Sequence, residues 1–339
     1  MMPPSIIFIV GNSRSGTTML GRALGAHSLI NTFPELQIFE RIIDKDNMDK
    51  SMNIDKAELE LMGANILKTI RNGIFGPGLA SEFLIEARAI IQKQSITSPM
   101  ALYNLLLDVE TSKAGKSIPC EQTPRYIFMA NEILNAYNNA HIIHIYRDPR
   151  DVLLSQKNRW KRRFLSNKKI PYKRTFLAWS NYHPELTSRL WGAVMKQAQS
   201  ANSSARFHEI CYETLLTEPE ASLRTLCKQI GISFDSSMMN VSVEGSSSQR
   251  DRDRGAVGFD ASRIGSWKAG GLHKAEIDIC ERRVGKIMTA KGYDLSNIRS
   301  NMFSRLILQC FLPLKVMCGL IMNYRRFRNL GKTISRRLF

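Results

Sequence analysis

The stretch IIFIVGNSRSGTT, residues 6 to 18, decides how the rest of this 339-residue chain is interpreted. Its first five residues are apolar and mostly β-branched, without polar alternation, which predicts a buried strand of a parallel sheet. A loop from Gly11 to Gly16 follows, and a helical stretch opens at Thr17. Such a strand–loop–helix unit directs backbone N–H groups and a helix dipole at one point, so we predict an anion site there.

The loop has the glycine spacing of a nucleotide-binding P-loop, G-x4-G-K-[ST], from Gly11 to Gly16. Thr17 stands where that motif requires a lysine. Because kinases and NTPases place this lysine on the β- and γ-phosphates, its absence argues against ordinary ATP chemistry. Arg14 supplies the cation instead, from inside the loop, and a guanidinium keeps its charge near neutral pH.

Strand and helix patterns alternate after this unit. We predict further strands over 28–33, 141–146 and 205–212, and helices over 18–27, 176–201, 213–230 and 272–291. Residues 36–115 are predicted to be a mainly helical insertion, and 118–125 a loop. This order indicates an α/β fold with a mainly parallel central sheet and a site along its carboxyl edge. We place this domain in residues 1–298 and a basic amphipathic extension in 299–339.

A second group of polar residues lies in RDPRDVLLS, which starts at Arg147 where the predicted strand 141–146 ends. Ser155 lies two turns into the helix that follows. Arg147 and Ser155 together offer charged donors and a hydroxyl to one tetrahedral anion. The alternative is that Arg147 pairs with Asp148 or Asp151 and that Ser155 faces solvent.

Positive charge is concentrated in two segments. The chain has a formal net charge of +18, and residues 157–174 and 299–339 each hold nine basic residues and no acid. The remainder is balanced, with 30 basic and 30 acidic residues. We therefore expect anionic partners at two places rather than a generally basic protein. For 157–174 the alternatives are a solvated helix face and a lining of the mouth of the site.

Taken together, RSGTT and RDPRDVLLS resemble the paired signatures with which sulfotransferases bind 3′-phosphoadenosine 5′-phosphosulfate (PAPS). The resemblance implies a P-loop NTPase-like three-layer α/β fold, PAPS as co-substrate and no metal. In that family the first signature binds the 5′-phosphosulfate and the second signature binds the 3′-phosphate. The corresponding residues here are Arg14, Ser15, Gly16, Thr17 and Thr18 for the first, and Arg147 and Ser155 for the second.

Two later segments extend the resemblance. CYETLLTEPEASLRTLCKQIGI is similar to a family segment, Y-E-x-L-x-x-x-P, whose tyrosine lies by the adenine, which implies that role for Tyr212. SRIGSWK resembles the loop that closes over the 3′-phosphate. The residues it implies are Arg263, Gly265, Trp267 and Lys268.

The first loop and its sequel, RSGTTMLGRALGAHSLINTFPEL, resemble the branch of tyrosylprotein sulfotransferases and bacterial carbohydrate or metabolite sulfotransferases. That branch implies a catalytic base at Glu35, 21 residues after the loop arginine, with Arg14 as the catalytic cation. Partial burial would raise the pKa of such a carboxylate and suit it to this role. The alternatives are Glu40 as base and a structural role for Glu35. Relatives often carry a lysine where this chain has Gln122, so any transition-state contact there is uncharged.

The implied reaction is in-line transfer of the sulfuryl group of PAPS to a hydroxyl of a carbohydrate, glycolipid or metabolite, with the insertion on the acceptor side. A P-loop phosphotransferase and an inactive PAPS-binding relative are the alternatives. Nucleic acid is not an expected partner, because the basic clusters lack interleaved stacking aromatics and no nucleic-acid motif occurs. The sequence does not indicate an oligomeric state.

The tail carries apolar residues at helical spacing from Phe303 to Ile321. Arg305 and Lys315 fall inside this span, which favours an interfacial helix on anionic lipid, or packing on the domain, over a transmembrane helix. Lipid binding would give peripheral membrane contact through residues 300–339. No signal peptide and no paired cysteine spacing occur, so we expect a cytoplasmic protein, at the inner face of the membrane if the tail binds lipid.

Overall fold

The computed structural model describes residues 4–41, 43, 55–74, 76–94, 96, 98–161, 171–241 and 258–323. Parts of the two basic segments, 162–170 and 324–339, lie outside these residues, as do 44–54 of the helical insertion. Five strands form one sheet: β1 (Ile6–Gly11), β2 (Ile30–Phe33), β3 (Ile118–Glu121), β4 (Ala140–Tyr146) and β5 (Phe207–Cys211). Their order is β2-β3-β1-β4-β5, and all four pairings are parallel.

Helices fill the connections between the strands. The α-helices are α1 (Thr17–Ala26), α2 (Ile38–Arg41), α3 (Lys56–Asn72), α4 (Leu84–Gln92), α5 (Pro99–Lys113), α6 (Ala130–Ala136), α7 (Pro149–Lys157), α8 (Tyr172–Ser180), α9 (Pro184–Ala201), α10 (Tyr212–Thr217), α11 (Pro219–Ile230), α12 (Lys274–Ala290), α13 (Met302–Cys310) and α14 (Leu312–Asn323). Short 3₁₀ helices are Ala80–Phe83, Pro124–Met129, Asn158–Lys161, Ser236–Met239, Ala261–Arg263 and Ser266–Ala269. The described residues between β2 and β3 are mainly helical, as predicted.

The buried strand β1 explains why the sheet is covered on both faces. Every residue of β1 is buried, and its side chains alternate between two separate cores. Phe8 and Val10 belong to the core shared with the helical insertion, whereas Ile7 and Ile9 pack with α1 and α11. The predicted three-layer α/β arrangement is confirmed, because the alternation of side chains along a strand supplies apolar surface to both layers.

Three predicted boundaries are wrong. Residues 118–121, predicted as loop, form β3, because all four are buried and pair with β2 although Pro119 lacks a backbone donor. The helix predicted over 176–201 is two helices, and the one predicted over 213–230 is also two. In both cases a proline, Pro184 or Pro219, starts the second helix, as expected for a residue that cannot donate inside a helix.

The strand order places the carboxyl ends of β1 and β4 side by side. The chain leaves β1 toward β2 and β3 on one side and continues from β4 to β5 on the other. A crevice opens at such a reversal of strand order, and ligands of open α/β sheets bind there. Each strand is also followed within a few residues by a predicted site residue, in the order Arg14, Glu35, Gln122, Arg147 and Tyr212.

Candidate active site

The loop after β1 needs glycine where it meets Tyr212. Gly16 has a φ of +100°, and a Cβ on it would lie 2.5 Å from Cδ2 of Tyr212. The backbone of the loop therefore lies directly on the tyrosine ring, which only glycine allows. Arg14 also has a positive φ, +80°, which is uncommon for a residue with a side chain and occurs often at functional sites.

The N-terminus of α1 has the features of an anion site. Its N-cap is Gly16, which provides no side-chain cap, and its first turn holds no acidic residue. Uncapped N–H groups and the helix dipole together favour a negative ligand. The Ser15 hydroxyl beside them is fully buried and has no hydrogen-bond partner among the described residues. Thr17 is buried, whereas Thr18 is exposed.

A hydrogen bond joins the loop to α7. Nε of Arg14 donates to Oγ of Ser155 over 2.9 Å, across 141 residues of sequence. The alternative in which Ser155 simply faces solvent does not hold, because its hydroxyl accepts this hydrogen bond from the loop arginine. Residues assigned by the resemblance to the two ends of one nucleotide are in direct contact in this structure.

Arg147 is buried and surrounded by other predicted site residues. Its guanidinium carbon lies 4.3 Å from the centre of the Tyr212 ring, and Nη2 donates to the carbonyl oxygen of Arg263 over 2.7 Å. Nη2 also lies 3.5 Å from Asp151, so the predicted ion pair with that residue exists. Asp148 instead binds Arg150. Nε of Arg147 is buried without a partner among the described residues, which leaves one donor for a ligand.

Asp151 makes contacts within the site that the sequence analysis did not assign, beyond its pairing with Arg147. Its two carboxylate oxygens accept the backbone N–H groups of Gly265 and Trp267, each over 2.9 Å. Burial raises the pKa of Asp151, and the Arg147 charge opposes that rise. The carboxylate thereby fixes the loop at 263–268 against the start of α7. The available signal was its position four residues after Arg147, in the first turn of α7.

The residues of the predicted closing loop, 263–268, differ in how they contact the rest of the site. Trp267 is buried, and the guanidinium carbon of Arg150 lies 4.1 Å from its ring centre, so this indole packs inside the domain. The Arg263 side chain pairs with Asp260 over 2.8 Å, while its carbonyl oxygen meets Arg147. Lys268 is exposed, with Nζ 5.9 Å from the Trp267 ring centre. The backbone of this loop, rather than its cations, contacts Arg147.

Glu35 lies on the other side of the crevice, after β2. Contrary to the expected partial burial, its side chain is exposed, and Oε1 accepts a hydrogen bond from Nε2 of Gln37. The short segment after β2 lies at the surface, and none of the described elements covers the carboxylate. The alternative base, Glu40, is 3.1 Å from Arg125 in an ion pair.

A buried carboxyl group supports the segment that carries Glu35. Thr123 donates to Oε1 of Glu121 and accepts the N–H groups of Leu36 and Gln37 over 3.3 and 3.4 Å. Glu121 is fully buried, and burial raises its pKa to about 7. Tyr103 donates a further hydrogen bond to Glu121. The sequence analysis missed this arrangement, because Glu121 fell in the stretch predicted as loop.

Gln122 packs against the first turns of α1. A Cβ at Gly21 would lie 2.8 Å from its Oε1, an atom that is buried without a partner among the described residues. The amide thus approaches the helix that starts at the anion loop. Gln122 is the position where the resemblance indicates a lysine, and it lines an open cleft of about 470 Å³ beside α1.

The family model described as "Sulfotransferase family" matches residues 4–236, which include the loop after β1, the segment after β4 and Tyr212. This chain belongs to the sulfotransferase family. The sulfotransferase assignment made from the two signatures is therefore confirmed, and the protein is a sulfotransferase enzyme. No curated protein sequence matches the chain.

The chain is similar to solved structures of sulfotransferases. The sulfotransferase domain from the curacin biosynthetic pathway is 18% identical, with a TM-score of 0.50 over 87% of this chain and 100% of that domain. The sulfotransferase domain of the Synechococcus PCC 7002 olefin synthase is 18% identical, with a TM-score of 0.48 over 87% and 97%. A sulfotransferase from Alicyclobacillus acidocaldarius is 18% identical, with a TM-score of 0.42 over 88% and 100%.

Proposed function

We propose that this sulfotransferase moves the sulfuryl group of PAPS to a hydroxyl of a carbohydrate, glycolipid or metabolite. The proposal rests on one observation, that the Tyr212 ring lies against both the Gly16 backbone and the Arg147 guanidinium. Two anion-binding elements flanking one aromatic ring fit a nucleotide that carries phosphate groups on both sides of its ribose and a base that packs on the ring.

Each phosphate position of PAPS has a matching set of donors. Arg14 and the first-turn N–H groups of α1 would hold the 5′-phosphosulfate. Arg147, whose Nε has no partner in the described part of the chain, and Ser155 would hold the 3′-phosphate. Because Arg14 donates to Ser155 over 2.9 Å, the two positions are coupled. The site is thereby better suited to a nucleotide with a 3′-phosphate than to ATP.

Glu35 would accept the proton of the acceptor hydroxyl as that oxygen attacks sulfur. The new bond joins the acceptor oxygen to sulfur, and the bond between sulfur and the bridging oxygen breaks, leaving its electron pair on the 5′-phosphate. Arg14 and the helix N-terminus stabilise this developing charge. The amide of Gln122 adds at most a neutral hydrogen bond, so more of the stabilisation depends on Arg14.

A cleft lined by Leu36, the residue after Glu35, has the size and chemistry of an acceptor site. It measures about 410 Å³ and lies between the segment after β2 and α3. Its lining combines apolar and polar side chains, which are Leu36, Arg41, Glu58, Leu61, Met62, Asn65, Lys68, Thr69 and Ile74. Mixed lining of this kind suits an acceptor with several hydroxyl groups and an apolar part.

The test measures nucleotide binding and sulfuryl transfer separately. Calorimetry compares adenosine 3′,5′-bisphosphate (PAP, the product nucleotide) with ATP, and release of PAP from PAPS is followed with octyl glucoside and glucose as model acceptors. We expect PAP to bind and ATP not to bind. We expect Glu35→Gln to lower kcat by about a hundredfold or more at unchanged PAP affinity. Glu220→Gln, at an exposed glutamate of α11, is the matched control.

Three outcomes would contradict parts of the proposal. Equal binding of ATP and PAP would remove PAPS as co-substrate. An unchanged kcat in Glu35→Gln would remove the base assignment. Binding of PAP without turnover in the presence of either acceptor or of water would favour a PAPS-binding relative without activity.

A further inference from the structure

The helices α13 and α14 carry a continuous apolar face that no described residue covers. Large side chains on it are exposed, with Phe303 at 72% and Ile321 at 67% of full exposure. Met302, Leu306, Phe311 and Leu314 are exposed as well. Contiguous exposed apolar surface of this extent indicates a binding face.

The opposite side of the same helices is fastened to the domain by polar contacts. Nη1 of Arg305 lies 2.8 Å from Asp278 on α12, and Nζ of Lys315 donates to the carbonyl oxygen of Trp179 over 2.9 Å. These are the cations of α13 and α14, and both therefore face the protein. The outward face is left apolar.

Aromatic residues of α8 extend this surface. Helix α8 packs beside α14, and its Tyr172, Phe176 and Trp179 are exposed, Tyr172 at 74%. Rings with a polar atom, such as those of tyrosine and tryptophan, favour the boundary between water and lipid. Exposed aromatics beside an apolar helix face are typical of a membrane-surface contact.

Helices α8 and α14, which pack together, each adjoin one of the two basic segments of the sequence. Helix α8 starts at the end of the segment 157–174 and α14 lies in 299–339, and each segment holds nine basic residues and no acid. The two segments that these helices adjoin in the sequence therefore account for the whole net charge of +18. A partner with both apolar and anionic character matches such a surface, and a bilayer containing anionic lipid has that character.

We propose that α8, α13 and α14 form a surface that binds anionic bilayers in the plane of the interface. Residues Met302–Met322 are long and apolar enough to cross a membrane, with a mean hydropathy of 1.7. A crossing would, however, carry Arg305 and Lys315 into the hydrocarbon and break their contacts with Asp278 and Trp179. Lying flat keeps both contacts and buries only the outward apolar face.

Vesicle flotation of the full chain tests this proposal without depending on sulfuryl transfer. We expect the protein to float with vesicles of phosphatidylcholine mixed with phosphatidylglycerol, and at least about tenfold less with phosphatidylcholine alone. The double variant Phe303→Asp/Ile321→Asp should lose at least about tenfold in binding to the anionic vesicles. Leu79→Asp/Ile85→Asp is the matched control, since these side chains are 70% and 83% exposed on the helical insertion.

Several outcomes decide the proposal. Release of bound protein by high salt and alkaline carbonate supports the interfacial arrangement, whereas resistance to carbonate overturns it in favour of a spanning helix. Equal binding by both double variants overturns the assigned surface. Failure of the full chain to float, with a dimer in light scattering that only Phe303→Asp/Ile321→Asp dissociates, shows that a second copy covers the face. Equal melting temperatures establish that the variants are folded.

Discussion

Arg147 and Glu35 both lie at the carboxyl edge of the sheet, after β4 and β2, but their surroundings differ. Arg147 is buried and contacts Tyr212, Asp151 and the carbonyl oxygen of Arg263. Glu35 is exposed, and the hydrogen bond from Gln37 is made by a neighbour in sequence. We refer to these two parts as the nucleotide half and the acceptor half of the site.

The difference shows how the two halves are positioned. In the nucleotide half the binding side chains hold one another, so their geometry is set before a ligand arrives. In the acceptor half the rigid part lies underneath, where Glu121 and Thr123 hold the backbone at Leu36 and Gln37. Substitutions in the nucleotide half should therefore lower nucleotide affinity more strongly, whereas substitutions in the acceptor half should mainly alter stability or turnover.

Arg147→Ala should have the largest effect. Removing one partner of a buried charge pair costs about 2–5 kcal/mol, so we expect PAP affinity to fall about a thousandfold in calorimetry. Arg224→Ala is the control, because that arginine pairs on the exposed surface of α11. An unchanged PAP affinity in Arg147→Ala would show that the buried arginine is purely structural.

Asp151→Asn should have a smaller effect on the same half. A carboxamide has one acceptor oxygen, so it cannot hold the N–H groups of both Gly265 and Trp267, and it loses the charge that faces Arg147. We expect PAP affinity to fall about thirtyfold, or about 2 kcal/mol, with faster hydrogen exchange at both amides. Asp235→Asn, in a capping turn near the far end of α1, should change neither measurement. Unaltered exchange in Asp151→Asn would contradict the loop-fixing role.

Glu121→Gln tests the buried support of the acceptor half. The pKa of Glu121 is about 7 in the folded chain against an ordinary value of 4.5, so the folded state binds more protons between these values. This carboxyl group therefore makes stability fall as pH rises from 4.5 to 7. The free energy of unfolding, measured with urea, should therefore decrease less across this pH range in Glu121→Gln than in the wild type. The difference should be on the order of 2 kcal/mol. Parallel pH profiles for the two proteins would refute the assignment.

Gln122→Lys should have the smallest effect and tests whether the site lacks a charge near the bridging oxygen. A cation near the bridging oxygen would add electrostatic stabilisation, and we expect kcat to rise about tenfold. Gln122→Met, which fills the same space without a charge, should not raise kcat. A lysine variant no faster than the wild type would indicate that Arg14 already supplies the electrostatic stabilisation of the bridging oxygen.

Much of the nucleotide half could be predicted because its signals are local. A few adjacent residues are enough to recognise the buried strand before Gly11, the turn at Gly16 and the strand end just before Arg147. The strand β3 could not be predicted in the same way. Pro119 and Glu121 are typical of loops, and only burial between β2 and β1 makes them part of the sheet.

The sequence by itself determined four of the five strands, the anion loop and the family, because periodicity, turn residues and short motifs are properties of neighbouring residues. Only the tertiary structure decided that Arg14 bonds Ser155, that Asp151 fixes the loop at Gly265, and that Glu35 is exposed. The first two contacts join residues more than a hundred positions apart. Such contacts, like the exposure of a side chain, depend on which elements pack together, and no local pattern in the sequence contains that information.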